Sequence, residues 1–91
     1  MVERDSKPVL SPQAVLREES DDWAVLYDPN TGNAFGLDPV GVFIVKQMDG
    51  NKTILEIVRE LGDLFEGVPA EADKDALEFV DSLMQKGLAS I

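Results

Sequence analysis

The chain has 91 residues, a length that accommodates one small domain. Eighteen acidic against eight basic residues give a formal net charge of −10, and the absence of histidine keeps this charge constant around neutral pH. The charge opposes binding to nucleic acid and to anionic membranes, and the absence of cysteine excludes disulfides, thiolate metal sites and cysteine nucleophiles.

The first dozen residues predict a flexible N-terminal arm, with residues 13–91 forming a single domain. Residues 1–12 contain Pro8 and Pro12 and show no periodic pattern of apolar residues. The first ten residues are too polar for a signal peptide. The longest apolar run, residues 42–45, is far too short to cross a membrane. A soluble cytoplasmic protein is therefore expected.

The N-terminal third predicts a small antiparallel sheet of three strands. The pattern of apolar and polar residues predicts strands at Gln13–Glu19, Trp23–Asp28 and Ala34–Leu37. The second of these places Trp23, Val25 and Tyr27 on one face and Ala24 and Leu26 on the other. Residues 28–33 read Asp-Pro-Asn-Thr-Gly-Asn, a sequence rich in turn formers. This turn should join the second and third strands as a hairpin.

Two capped helices follow the sheet. Asp38 followed by a proline is a typical N-cap, and it predicts a first helix over Pro39–Asp49 that stops at Gly50. Thr53 and Glu56 form a capping box at the start of a second helix, which should end near Gly67.

A third helix is predicted over Ala70–Lys86, after a break at Val68–Pro69 and before Gly87. Three strands followed by three helices make a small α+β domain. The second and third helices resemble a helix-turn-helix with the sheet as its wing, so the predicted architecture is winged-helix-like. The residues of the third helix assigned to the core are Ala72, Ala76, Phe79 and Leu83.

Several kinds of chemistry find little support in the sequence. The acidic cluster of residues 18–22 lacks the ligand spacing of a calcium loop. No acid has a histidine or cysteine partner, and no phosphate-binding glycine loop occurs, so the chain is not expected to be an enzyme or to hold a cofactor. Two alternatives stay open. Asp81-Ser82-Leu83 copies the attachment motif of acyl carrier proteins, although it lies late in a helix. A transcriptional regulator would have to act through protein contacts, because the third helix carries five acids against two lysines.

The middle of the chain resembles the PqqD family, whose name refers to pyrroloquinoline quinone biosynthesis. The resemblance rests on Phe35–Gly41, Ile44, Met48–Gly50 and Thr53–Ile57, taken in this order and spacing. It extends over residues 8 to 90. Val45 stands where members of the family usually have tryptophan, which indicates a divergent branch.

The resemblance implies a non-catalytic RiPP recognition element, a peptide chaperone in natural product biosynthesis. Such a domain binds the leader of a ribosomally made precursor peptide and presents it to a modifying enzyme, often a radical S-adenosylmethionine enzyme. In the family, the leader adds as an extra strand to the third strand and packs against the third helix. A monomer is expected here, with a weak dimer as the alternative.

The predicted edge strand offers backbone groups for such an addition, because it contains no internal proline. Ala34 and Gly36 are small enough to admit a peptide backbone, although both could simply pack beneath a helix. If the amide of Phe35 points outward, Phe35→Pro should abolish strand addition. The predicted leader-binding residues of this strand are Asn33, Ala34, Phe35, Gly36 and Leu37.

The third helix is expected to supply the other wall of the binding groove. Its apolar arc is wider than one core seam needs, which leaves one flank for the leader. The predicted contacts are Leu77, Val80 and Met84, with Asp81 placed to engage a lysine or arginine of the leader. If these apolar residues belong to the core instead, the groove should lie on the opposite flank, near Phe79 and Lys86. The net charge favours a basic leader or a basic enzyme surface.

Overall fold

The computed structural model describes residues 2–67 and 71–91, and it has the predicted α+β architecture. A three-stranded antiparallel sheet precedes three helices, and a second, two-stranded sheet joins the N-terminal segment to the last residues. The elements are β1 (Val9–Leu10), β2 (Val15–Glu18), β3 (Ala24–Tyr27), β4 (Ala34–Leu37), α1 (Pro39–Lys46), α2 (Ile54–Leu64), α3 (Ala72–Gln85) and β5 (Ala89–Ser90).

The larger sheet has the strand order β2-β3-β4, so β3 lies in the centre. The hairpin between β3 and β4 closes at the predicted turn. Asp28 accepts a hydrogen bond from the amide of Asn30 on its side chain, and Gly32 takes a positive φ of 79°. The register pairs Leu26 with Phe35 and Ala24 with Leu37. These four side chains therefore share the face of the sheet that packs on the helices.

The predicted caps of the first two helices are confirmed. The side chain of Asp38 accepts a hydrogen bond of 2.7 Å from the amide of Gly41. Thr53 and Glu56 exchange the two hydrogen bonds of a capping box. Helix α1 ends three residues earlier than predicted, because the chain after it turns to meet β1: Asp49 forms a bridge with Val9.

Helix α3 is shorter than predicted by a residue or two at each end. It packs against α2 in the helix-turn-helix arrangement expected from the sequence. The predicted break at Val68–Pro69 and the predicted first residue of the helix, Ala70, lie outside the described residues. None of the helices in the described part of the chain is long and apolar enough to cross a lipid bilayer.

The N-terminal segment differs from the expectation of a flexible arm. Strand β1 pairs with β5, and Pro8 is fully buried while Val2 joins the core. The carbonyl groups of Arg4 and Ser6 accept hydrogen bonds of 3.0 Å from the amides of Leu55 and Ile54, respectively. These amides belong to the first turn of α2, where a helix has no acceptors of its own. The segment of residues 2–10, called the arm below, is thus an integral part of the domain.

Candidate functional site

Strand β4 is an edge strand whose outer backbone groups face away from the sheet. Within the described residues, β3 is the strand that pairs with it. The amide of Asp28 donates to the carbonyl of Asn33 over 2.9 Å, and these two residues lie opposite each other in the register. Hydrogen-bonded pairs alternate along an antiparallel ladder. The backbone groups of Phe35 and Leu37 therefore point toward β3, and those of Ala34 and Gly36 point toward the free edge.

This alternation changes what the substitution Phe35→Pro would test. The amide of Phe35 is directed at Leu26 in β3, so proline there would remove a bond within the sheet. The amide that faces outward belongs to Gly36. An added Cβ at Gly36 would meet nothing within 4 Å, so alanine fits there. The alternative that Ala34 and Gly36 pack beneath a helix is not met, since both are exposed.

A groove of about 570 Å³ lies between β4 and the first half of α3. Strand β4 and the start of α1 form one wall, and α3 forms the other. Ile44 and Leu61, both buried, contribute to its apolar floor. Phe35 and Phe79 both line it and contact each other, with their ring centroids 5.6 Å apart in an edge-to-face arrangement. Such a groove beside a free strand edge has room for an extended segment of chain.

Strand β4 and helix α3 run in opposite directions along the groove. Near one end, the side-chain amide of Asn33 donates a hydrogen bond of 2.9 Å to the carbonyl of Lys86, which follows α3. Further along, Phe35 meets Phe79. The end of β4 therefore lies beside the first turns of α3, where Asp75 lines the groove. Asn33 thus fixes the position of the hairpin relative to the helix.

The predicted contacts on α3 lie elsewhere. Val80 is completely buried and belongs to the core, so its assignment to the groove was wrong. Leu77 and Met84 are half-buried against the core on the other flank of the helix. At 3.6 residues per turn, Met84 lies about 140° around the helix axis from Phe79. Asp81 accepts a hydrogen bond from Gln85 within the same helix. These four residues do not line the groove.

The arm reaches this flank at Asp73. Arg4 of the arm donates a hydrogen bond of 2.6 Å to Asp73, which lies one turn before Leu77 on the same side of α3. This hydrogen bond lowers the pKa of Asp73 below its ordinary value, which indicates that the carboxylate favours its charged form there. We call the side of α3 that carries Asp73, Leu77 and Met84 the arm flank, and the side that carries Asp75 and Phe79 the groove flank.

The groove flank contains residues that sequence reasoning missed or assigned to the core. Phe79 was predicted to be a core residue, but it is half-buried and lines the groove with Ala76. The sequence offers one signal for it: a large aromatic residue at the margin of an apolar arc is a common ligand contact. The alternative location stated above, the flank near Phe79, is the one that the groove occupies.

The charge around the groove is negative. Among the described residues that line it, the charged ones are all acidic: Asp38, Glu66 and Asp75. Within residues 2–67 and 71–91, no three carboxylates are grouped so that they could hold a metal ion. The geometry is that of a binding surface for an extended chain, with backbone groups on one side and an apolar wall on the other.

Comparison with known proteins agrees with this geometry. The sequence profile of the family described as "Coenzyme PQQ synthesis protein D (PqqD)" matches residues 24–89. A protein of Xanthomonas axonopodis pv. citri named "PqqA binding protein" is 28% identical over 89 residues, which cover 96% of this chain and 94% of that protein. A protein of the same name from Xanthomonas oryzae pv. oryzae is 27% identical with the same coverage.

Two solved structures have a similar fold. One is described as "TbiB1 in Complex with the TbiA(beta) Leader Peptide"; it is 29% identical, with a TM-score of 0.73, and the match covers 90% of this chain and 94% of that one. The other is "Lasso peptide synthetase B1 complexed with the leader peptide", with 22% identity, a TM-score of 0.74 and coverage of 94% and 100%. The second likeness concerns the fold alone.

The sequence motifs, the order of the strands and helices, and the family profile over residues 24–89 lead to the same assignment. The chain belongs to the PqqD family.

Proposed function

We propose that this protein binds the leader segment of a ribosomally made precursor peptide by adding it as a strand to β4. The observation that carries the proposal is the free edge of β4 beside an apolar groove. Strand addition uses the backbone groups of the edge for affinity and the neighbouring pockets for selectivity. Here the outward groups of Ala34 and Gly36 would pair with the leader, and the groove would take every second side chain.

The relatives support this proposal. The curated relatives bear the name "PqqA binding protein", and the solved structure with 29% identity is a complex with a leader peptide. The proposed contacts are Ala34, Phe35, Gly36 and Leu37 on the strand, and Phe79 on the helix. Asn33 would contribute indirectly, because its hydrogen bond to the carbonyl of Lys86 holds the strand beside the helix.

The protein would act as an adaptor that catalyses no reaction and presents the bound peptide to a modifying enzyme. A radical S-adenosylmethionine enzyme is the partner class that the family suggests. The charge of −10 favours an enzyme with a basic docking surface, because opposite charges raise the rate of encounter. A monomer that binds one leader, in the cytoplasm where the precursor is made, is the simplest form of this function.

The test uses the leader of the precursor encoded nearest to the gene of this protein. Calorimetry should give a dissociation constant of about 1 μM for this leader. Gly36→Pro should raise the dissociation constant about tenfold or more, because proline removes an outward amide of the edge. Gly36→Ala is the matched control: its Cβ meets nothing within 4 Å, and the amide is retained. Equal leader affinity in folded Gly36→Pro and Gly36→Ala would exclude strand addition at this position.

A further inference from the structure

We infer that the groove selects peptides in which an apolar side chain has a lysine or arginine as its neighbour on the same face. This inference rests on the proposed function, since it specifies which segment the strand edge would accept. It concerns two regions of the groove. The aromatic end is formed by Phe35 and Phe79, and the acidic end is formed by Asp38, Glu66 and Asp75.

The two ends follow from the opposite directions of β4 and α3. Phe35 meets Phe79 in the middle of the helix, and Asp38 follows β4 at the side where α3 begins. Asp75 lies one turn before Phe79, and Glu66 lies just after α2. The three carboxylates thus line the part of the groove that an extended peptide reaches after it passes the two aromatic rings.

The spacing fits a strand. Consecutive residues on one face of a strand are separated by roughly 7 Å, and Asp38 follows Phe35 by three positions along the chain, or roughly 10 Å. A peptide that places an apolar side chain against Phe35 and Phe79 would therefore place the next side chain of the same face near the acidic end. The long stem of a lysine or arginine can lie along the apolar floor while its charged group reaches the carboxylates.

Two of the acids have structural roles that leave their charge available. Asp38 uses one oxygen, Oδ1, to cap α1, and its other oxygen can accept a further hydrogen bond. Asp75 lies in the first turn of α3, where the helix dipole stabilises a negative charge. An acidic side chain of a peptide would meet repulsion from all three carboxylates. The groove therefore discriminates by charge as well as by shape.

The experiment uses blocked synthetic peptides of about ten residues in which threonine alternates with the groove-facing positions. Leucine occupies the central groove-facing position, and the groove-facing positions on both sides of it carry lysine, glutamine or glutamate. The symmetric design makes the result independent of the direction in which the peptide binds. Binding is measured by chemical-shift changes of the β4 amides at low and at high salt. The lysine peptide should bind about tenfold more tightly than the glutamate peptide at low salt.

Matched variants separate the groove from the general charge of the protein. Glu66→Gln with Asp75→Asn should reduce the preference for lysine to about twofold or less. Asp21→Asn with Asp22→Asn changes the net charge equally in the turn before β3, outside the lining of the groove, and should retain the preference. Asp38 is kept in both, because it caps α1.

The possible results are distinct. Equal binding of the lysine and glutamate peptides at the β4 amides would overturn the inference and leave the proposed strand addition intact. A preference that falls equally in both double variants would also overturn it, because the attraction would then come from the net charge. Absence of any shift at β4 with all three peptides and with the natural leader would contradict the proposed function itself.

Discussion

The two flanks of α3 have similar composition but different surroundings. On the arm flank, Leu77 and Met84 are half-buried, and Arg4 reaches Asp73 from the other end of the chain. On the groove flank, Phe79 is likewise half-buried, but it faces a groove and the free edge of β4. The two flanks therefore differ in the distant part of the chain that lies beside them, which is the arm at Asp73 on one flank and β4 on the other.

The arm resembles the leader segment that the groove is proposed to bind. It is an extended segment whose carbonyl groups accept the first amides of α2 and whose side chains enter the core. The proposed leader would serve the groove flank in a similar way, since it too would be extended, bound through its backbone and anchored by a few apolar side chains.

The largest effect is expected from removal of the arm. A variant that starts at Ser11 loses the buried side chains of Val2 and Pro8 and the acceptors for two amides of α2. We expect it to lose at least about 3 kcal/mol of the free energy of unfolding, as for a large core truncation. Urea denaturation followed by the fluorescence of Trp23 measures this loss. An unchanged midpoint would mean that the arm adds nothing to the fold.

A smaller effect should distinguish the two flanks directly. Phe79→Ala should weaken leader binding by about 1–3 kcal/mol, as for an aromatic contact at the centre of an interface. Met84→Ala should leave the affinity unchanged and cost about 1–2 kcal/mol of stability, less than a fully buried methionine, because the residue is half-buried. Titration and denaturation of both variants give the four values. Loss of leader affinity in Met84→Ala would return the binding site to the arm flank.

The smallest effect concerns pH. The pKa of Glu56 is lowered below its ordinary 4.5, mainly by the hydrogen bond to the backbone of Thr53, and the pKa of Asp73 is lowered below its ordinary 3.8, mainly by the hydrogen bond from Arg4. A lowered pKa in the folded state stabilises the fold above the ordinary value, and this stabilisation is lost as the pH falls below it. Stability should therefore decline slightly below about pH 4.5.

Two variants test the part of this decline that involves the arm. Asp73→Asn removes the titrating carboxylate and should flatten the acid decline slightly, and Arg4→Gln should flatten it less, because the amide of Lys74 also donates to Asp73 and lowers its pKa. Thermal unfolding at a series of pH values measures the slope. The idea is wrong if Arg4→Gln retains the full decline of the wild type.

Local features of the fold were predictable from the sequence because their causes are local. The cap at Asp38, the capping box of Thr53 and Glu56, and the turn at Gly32 each depend on residues within a few positions of one another. The bounds of β4 were predicted without error. The edge position of this strand followed from its place as the last of three strands joined by hairpins.

Other features depend on contacts between distant residues, and sequence patterns do not reveal these. The apolar arc of α3 was recognised, but whether Val80 or Phe79 faces the core depends on how the helix is rotated against α2 and the sheet. Residues 1–12 carry two prolines and no periodicity, so nothing local indicates that β1 pairs with β5. The direction of the Phe35 amide likewise depends on the register with β3.

The pairing of β1 with β5 has a consequence for the order of folding. It joins Val9 to Ser90, so nearly the whole chain lies within the loop that this contact closes. Closing a loop of this length costs more conformational entropy than closing the hairpins, and such contacts form late in folding. Opening of the arm should therefore precede global unfolding as a separate step of lower free energy. Hydrogen exchange would detect it as faster exchange of the amides of Ile54 and Leu55 than of the amides in the middle of α2.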